Sequence, residues 1–203
     1  MTPARSTHKV FWQDPYLSRL ETRIARTDGN DVTLDATVFY ALSGGQEIVY
    51  SLAAGHGLQA GDAVVVVIDW DRRYRLMRLH FAAEIVLEVV YRELPSVRKI
   101  GAHIAADKAR IDVEWPVSVA PLLPALYEQA MAIVRSDQPI QSAFSDEAND
   151  RRFWKIREFA EVPCGGTHLR RTGEVGAIAL RRRNIGKGKE RIEIALERSV
   201  TAP

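Results

Sequence analysis

From Arg72 to Leu94 the apolar residues Leu76, Met77, Phe81, Ile85, Val86, Val89, Val90 and Leu94 recur at helical spacing until Pro95 interrupts them. The pattern predicts one long α-helix that is apolar around most of its circumference. Such a helix cannot turn a face to water, so it must be buried by other elements. Three polar residues are trapped inside it, His80, Glu84 and Glu88. They need hydrogen-bond partners or a metal, because burying a polar group unpaired costs about 1–3 kcal/mol.

The segment before the helix reads as strand. Lys9–Trp12, Arg19–Ala25, Asp31–Tyr40, Ile48–Ala53 and Ala63–Trp70 carry strand patterns, with turn signals at Asp28-Gly29-Asn30, Gly44-Gly45-Gln46, Gly55-His56-Gly57 and Gly61-Asp62. A small barrel or sandwich over residues 1–70 is expected. After the helix, Ile100–Ala105 and Arg110–Glu114 form an expected hairpin, and Pro121–Arg135 an expected second helix with Pro124 in its first turn. Strands are expected at Ile140–Phe144, Trp154–Phe159, Val175–Leu180 and Arg191–Glu197, with a basic turn from Arg181 to Lys189 between the last two. The expected class is α+β: an N-terminal β-barrel-like module, then a second domain over 71–203 in which antiparallel strands pack with two helices.

Composition narrows the functional classes. With 46% hydrophobic and 27% charged residues in 203, the chain has the mix of a folded globular protein and not of a disordered or disulfide-stapled one. Its longest aliphatic run, Ala63 to Ile68, is far shorter than the roughly 18–20 residues of a membrane helix. The start, MTPARSTHKV, has no apolar core behind its basic residues, so a cytoplasmic protein without a membrane partner is expected. No GxxxxGK[ST] run is present, which argues against ATP use. From Arg151 onward there are 13 Lys and Arg against 6 Asp and Glu, whereas the remainder carries 15 against 20. The positive field therefore belongs to the C-terminal quarter, and nucleic acid is the polyanion it would attract.

Two short spacings carry chemistry: His80 with Glu84, and Cys164 with His168. On a helix, positions i and i+4 address one point. In Cys164-Gly165-Gly166-Thr167-His168 the glycines are expected to let the chain curl until sulfur and imidazole converge. Together the pairs offer nitrogen, oxygen, sulfur and nitrogen, a donor set that suits zinc. Other readings stay open: a hydrogen-bonded His–Glu pair in a core, or Cys164 as a nucleophile with His168 as its base. His8, His56 and His103 have no comparable partner nearby in the sequence.

At these residues the sequence resembles the AlaX trans-editing proteins, which share their catalytic module with the editing domains of alanyl- and threonyl-tRNA synthetases. The resemblance covers most of the chain. It rests on Thr37-Val38-Phe39-Tyr40 leading to Gly44-Gly45-Gln46, on Arg75-Leu76-Met77-Arg78-Leu79-His80, on Ser145-Asp146-Glu147-Ala148 before Arg151, and above all on Pro163-Cys164-Gly165-Gly166-Thr167-His168. It implies an editing-domain-like fold in a short form without a C-terminal extension. It further implies a zinc site at His80, Cys164 and His168, with Glu84 standing where a second helical histidine is expected. Glu84 could bind the metal, act as general base, or end metal binding. Glu84, Cys164 and His168 are thus the expected catalytic set, with Thr37, Gly44, Gly45, Gln46 and Thr167 around the amino acid. The implied reaction is hydrolysis of mischarged alanine tRNA, with Ser-tRNA(Ala) first among substrates. Arg181, Arg182, Arg183, Lys187 and Lys189 are expected at the tRNA backbone. Two rivals remain: a non-catalytic tRNA-binding or regulatory protein on the same fold, and a zinc hydrolase of another aminoacyl ester.

Overall fold

The structure is a computed structural model that describes residues 7–40 and 48–197. Two compact units emerge. One is drawn from residues up to Trp70 together with 148–150 and 165–167, the other from Asp71–Glu147, Arg151–Cys164 and His168 onward.

The first unit holds β1 (His8–Lys9), β2 (Arg19–Asp28), β3 (Asp31–Leu34), β4 (Ala36–Thr37), β5 (Tyr50–Ser51) and β6 (Ala63–Val67). Four strands form an antiparallel sheet in the order β5-β3-β2-β6, and β1 pairs in parallel with β4. The ten-residue β2 serves two neighbours: Arg19–Arg23 pair with β6, and Ile24–Asp28 pair with β3. A register shift between Ile24 and Arg26 marks the handover and curls the sheet. Gly29, at φ +59°, makes the β2–β3 turn possible. Ile24, Val32 and Leu34 form the buried centre, with Tyr50, Leu52, Leu58, Val64 and Val66 packed against it. Four expected strands are shorter than their patterns suggested, Ile48–Ala53 being strand only at Tyr50–Ser51. Val10–Trp12 is a 3-10 turn. The stretch Asp31–Tyr40 breaks at Asp35, whose N–H bonds Arg23 O, and Trp70 begins the helix.

The second unit holds α1 (Trp70–Glu93) from Asp71 onward, and the helix buries Met77, Leu79, Phe81, Ala82, Ala83, Ile85, Val86, Leu87, Val89 and Val90 around most of its circumference. His80, Glu84 and Glu88, each four residues from the next, occupy the remaining stripe. Then follow β7 (Arg98–Ile104), β8 (Ala109–Glu114), α2 (Leu123–Arg135), β9 (Gln141–Asp146), β10 (Arg151–Ile156), β11 (Ala160–Pro163), β12 (Ile178–Gly186) and β13 (Lys189–Leu196). Two antiparallel sheets result, ordered β12-β13-β8-β7 and β11-β10-β9. α1 packs on the smaller sheet through Phe81 and Trp154, whose rings meet edge to face at 5.2 Å. α2 lies against β12 and buries Leu126, Ala130, Met131 and Val134. The architecture is α+β with antiparallel sheets and two helices, as the sequence led us to expect. Among the described residues no helix is long and apolar enough to cross a membrane.

Two features of this unit correct the sequence reading. The expected strand Trp154–Phe159 is a hairpin, β10–β11, turned by Glu158 in the left-handed region at φ +58°. The expected basic turn from Arg181 to Lys189 is strand as far as Gly186, and only Lys187 and Gly188 make the turn. Strand alternation splits the arginine run. Arg182 pairs across the ladder with Ile192 and so faces the side that buries it, while Arg181 and Arg183 face the other side with Glu193 and Arg191.

Candidate metal centre

The candidate site lies wholly in the second unit. α1 places His80 and Glu84 one turn apart, with His80 Nε2 3.3 Å from Glu84 Oε1. Cys164 follows β11, and its N–H donates to Arg152 O at 2.9 Å, which anchors the thiol beside β10. Its Sγ lies 3.5 Å from His80 Nε2 and 3.3 Å from His168 Nε2. Glu84 Oε1 is 4.0 Å from the same sulfur. The ligand atoms of His80, Cys164 and His168 all fall within 4.8 Å of one another.

These separations have a geometric meaning. Zinc bonds of about 2.0–2.1 Å to nitrogen or oxygen and 2.3 Å to sulfur, at tetrahedral angles, put neighbouring donors about 3.3–3.6 Å apart. Three of the distances match such edges, and the Cys164–Glu84 distance is slightly long. His80, Cys164 and His168 therefore fit a zinc-sized cation, and Glu84, 4.0 Å from the sulfur, stands at the edge of that group.

The surroundings fix each donor. His168 is 3% exposed, and its Nδ1 meets Ser142 Oγ at 2.8 Å, which leaves Nε2 toward the sulfur. Phe81 stands edge-on to the His168 ring at 5.8 Å, and the two imidazoles stack at 5.4 Å. Trp154 Nε1 donates to Glu84 Oε2 at 3.1 Å. Electrostatics follow the arrangement. Burial disfavours a charged His80, but hydrogen bonds to Cys164 and Glu84, with their charges, outweigh it and raise its pKa to about 10. Burial likewise opposes a charged Glu84, yet the bond to His80 and then its charge hold that carboxyl below the usual range. Burial, with His80 and Arg152 nearby, pushes His168 well down and keeps it neutral.

The Cys164–His168 loop brings sulfur and imidazole together as expected, without a left-handed glycine. In neither Gly165 nor Gly166 is φ positive, and a Cβ on Gly165 would meet nothing within 4 Å. The loop is held instead by the Cys164–Arg152 bond and by Trp12 Nε1 donating to Gly165 O at 2.8 Å. Of the residues expected around an amino acid, Gly44, Gly45 and Gln46 lie outside the described residues. Thr37 and Thr167 belong to the first unit and are both buried. Thr37 Oγ1 already accepts from Phe39 N–H and shares a 2.6 Å bond with the Tyr50 hydroxyl. The five basic residues divide as well. Arg182 is bidentate with Glu190 at 2.6 and 2.5 Å, and Arg183 reaches Glu193 at 3.3 Å. Arg181, Lys187 and Lys189 are exposed and pair with no carboxylate among the described residues. Ser142 and Trp154, the two residues that orient the donors, carried no sequence signal: each is an unremarked strand position whose partner lies elsewhere in the chain.

A family model for the second additional domain of threonyl and alanyl tRNA synthetases matches residues 152–193, the span that holds Cys164 and His168. The chain is 31% identical to the alanyl-tRNA editing protein AlaX-M of Pyrococcus horikoshii, over 94% of this chain and 98% of that protein. It is 29% identical to AlaX-M of Saccharolobus solfataricus, over 92% and 97% of the two chains. A longer protein, the alanine–tRNA ligase of Pyrobaculum aerophilum, is 27% identical over 87% of this chain but only 25% of its own length. Near-complete mutual coverage by relatives of one kind, together with the synthetase-type match around the cysteine, places this chain in the AlaX-M family of alanyl-tRNA editing proteins.

Proposed function

We propose that the protein hydrolyses mischarged alanine tRNA in trans, with Ser-tRNA(Ala) as its principal substrate and zinc as its cofactor. The observation that carries this reading is the convergence of His80, Cys164 and His168, whose ligand atoms lie within 4.8 Å of one another, with Glu84 3.3 Å from His80 and 4.0 Å from the sulfur, in a member of the AlaX-M family. An aminoacyl ester is already activated, so positioning and electrostatic complementarity suffice for its cleavage. Zinc, when bound, supplies Lewis acidity at the ester.

The chain's own residues do the rest. His80, Cys164 and His168 hold the metal, and Glu84 completes the set through Oε1. Ser142 and Trp154 keep two of those donors in orientation. Thr37, Gly44, Gly45, Gln46 and Thr167 are the residues assigned to the amino acid. Arg181, Lys187 and Lys189 contact phosphates, because they are the members of the basic hairpin that no carboxylate among the described residues neutralises. Water adds to the carbonyl, the ester C–O bond breaks, and free amino acid and the ribose hydroxyl of the tRNA are released.

The test is deacylation of serine-charged alanine tRNA by purified, metal-quantified protein. We expect turnover with about one zinc per chain, both lost in Cys164→Ala. Turnover that survives Cys164→Ala, or a chain that binds the tRNA yet holds no zinc and cleaves nothing, would overturn the reading.

A further inference from the structure

Glu84 is bonded on both of its oxygens, and the two bonds differ in kind. Oε1 faces the donor cluster, 3.3 Å from His80 Nε2 and 4.0 Å from Cys164 Sγ. Oε2 accepts a 3.1 Å hydrogen bond from the indole of Trp154. Trp154 itself is 0% exposed, stands on β10 and is locked against Phe81 at 5.2 Å. We propose that Trp154 is a positioning residue for the metal: by holding Glu84 Oε2 it commits Oε1 as the single ligating atom. This deepens the zinc reading above and rests on it.

The chemistry of the pair supports the assignment. An indole N–H can only donate, so it needs an acceptor that stays an acceptor when the metal is bound. A carboxylate that ligates through one oxygen still accepts at the other. An imidazole in the same place would not, since the nitrogen that does not ligate carries a proton and would oppose the indole donor to donor. Trp154 therefore suits a carboxylate at position 84 and is unsuited to a histidine there. Partners of this outer kind typically change metal affinity 10- to 100-fold.

The experiment is a double-mutant cycle on the full chain, with Trp154→Phe and Glu84→His alone and combined, reading zinc affinity by chelator competition and the visible spectrum of the cobalt(II)-substituted protein. Trp154→Phe removes the donor and, being smaller, some buried ring contact, and the comparison between the two backgrounds separates these effects. We expect it to weaken zinc binding about tenfold or more with Glu84 in place, and to cause no loss in the Glu84→His background. The cobalt bands should weaken in Trp154→Phe as the freed oxygen raises the coordination number. Equal losses in both backgrounds would mean packing alone, and an unchanged affinity and spectrum would mean no role; either result overturns the proposal. A wild-type chain that takes up no zinc overturns the zinc reading itself, and that is seen before any variant is compared. Should Trp154→Phe fail to fold, the indole N–H resonance of Trp154 in the wild type decides. It should remain shifted and slow to exchange after zinc is added, and its loss on zinc binding would overturn the proposal.

Discussion

At the scale of single residues, the candidate site separates into donors the sequence displays and orienting residues it hides. His80 and Glu84 are visible because helical spacing is local, and Cys164 and His168 because they sit four apart in the only cysteine-bearing segment. Ser142 and Trp154 stand 26 and 70 positions from the donors they touch, and only the fold brings them there. The sequence likewise suggested a glycine-driven curl for residues whose φ is ordinary, because it could not show the hydrogen bonds that hold the loop. Ser142 offers a direct check. In a zinc-bound His168 that ligates through Nε2, Nδ1 carries the proton and donates to Ser142 Oγ, which fixes the ring and raises its basicity. Ser142→Ala should weaken zinc binding about tenfold, and Ser142→Thr, which keeps the hydroxyl, should restore most of it. Chelator competition at fixed pH reads the difference, and an affinity unchanged by Ser142→Ala would remove Ser142 from the site.

At the scale of elements, the long helix was legible because burial on most sides leaves a dense apolar pattern with a proline at its end. The β12–β13 hairpin was misread because Arg181-Arg182-Arg183 looks like a solvated run, and nothing local says that Glu190 lies opposite. Glu190 is 2% exposed, accepts from Arg182 and Asn184, and also accepts from Val119 N–H at 3.3 Å. Its hydrogen bonds with Arg182 are the largest cause that holds its carboxyl below the usual range, against the opposing effect of burial. A folded-state pKa below the unfolded value, about 4.3 for glutamate, means that the ionised group stabilises the fold fully above that value. The contribution is lost as pH falls through the folded-state pKa. Glu190→Gln should therefore melt below the wild type at pH 7, and the gap should narrow steadily below about pH 4. Thermal melts across that range test this; a gap that stays constant to pH 3 would mean that the charge on Glu190 contributes nothing.

At the scale of the whole molecule, the candidate site joins segments the sequence keeps far apart, since His80 and Cys164 are 84 positions distant. A metal bound by both belongs to the folded state alone, because the unfolded chain cannot hold the donors together without paying the closure entropy of that loop. Zinc should then act as a ligand of folding. At free zinc of 100 times its dissociation constant the linkage amounts to about 2.7 kcal/mol, and a chain of this size gains roughly 2–4 °C per kcal/mol. Stripping the metal with a chelator should lower Tm by about 5–10 °C, and adding zinc back should restore it. Magnesium should not substitute, because imidazole and thiolate donors select zinc over a hard cation. Cys164→Ala should abolish the zinc-dependent part of the shift while leaving the metal-free melting point close to that of the stripped wild type. Melts that coincide with and without zinc would mean that the four side chains, close as they are, do not hold the metal in the folded protein.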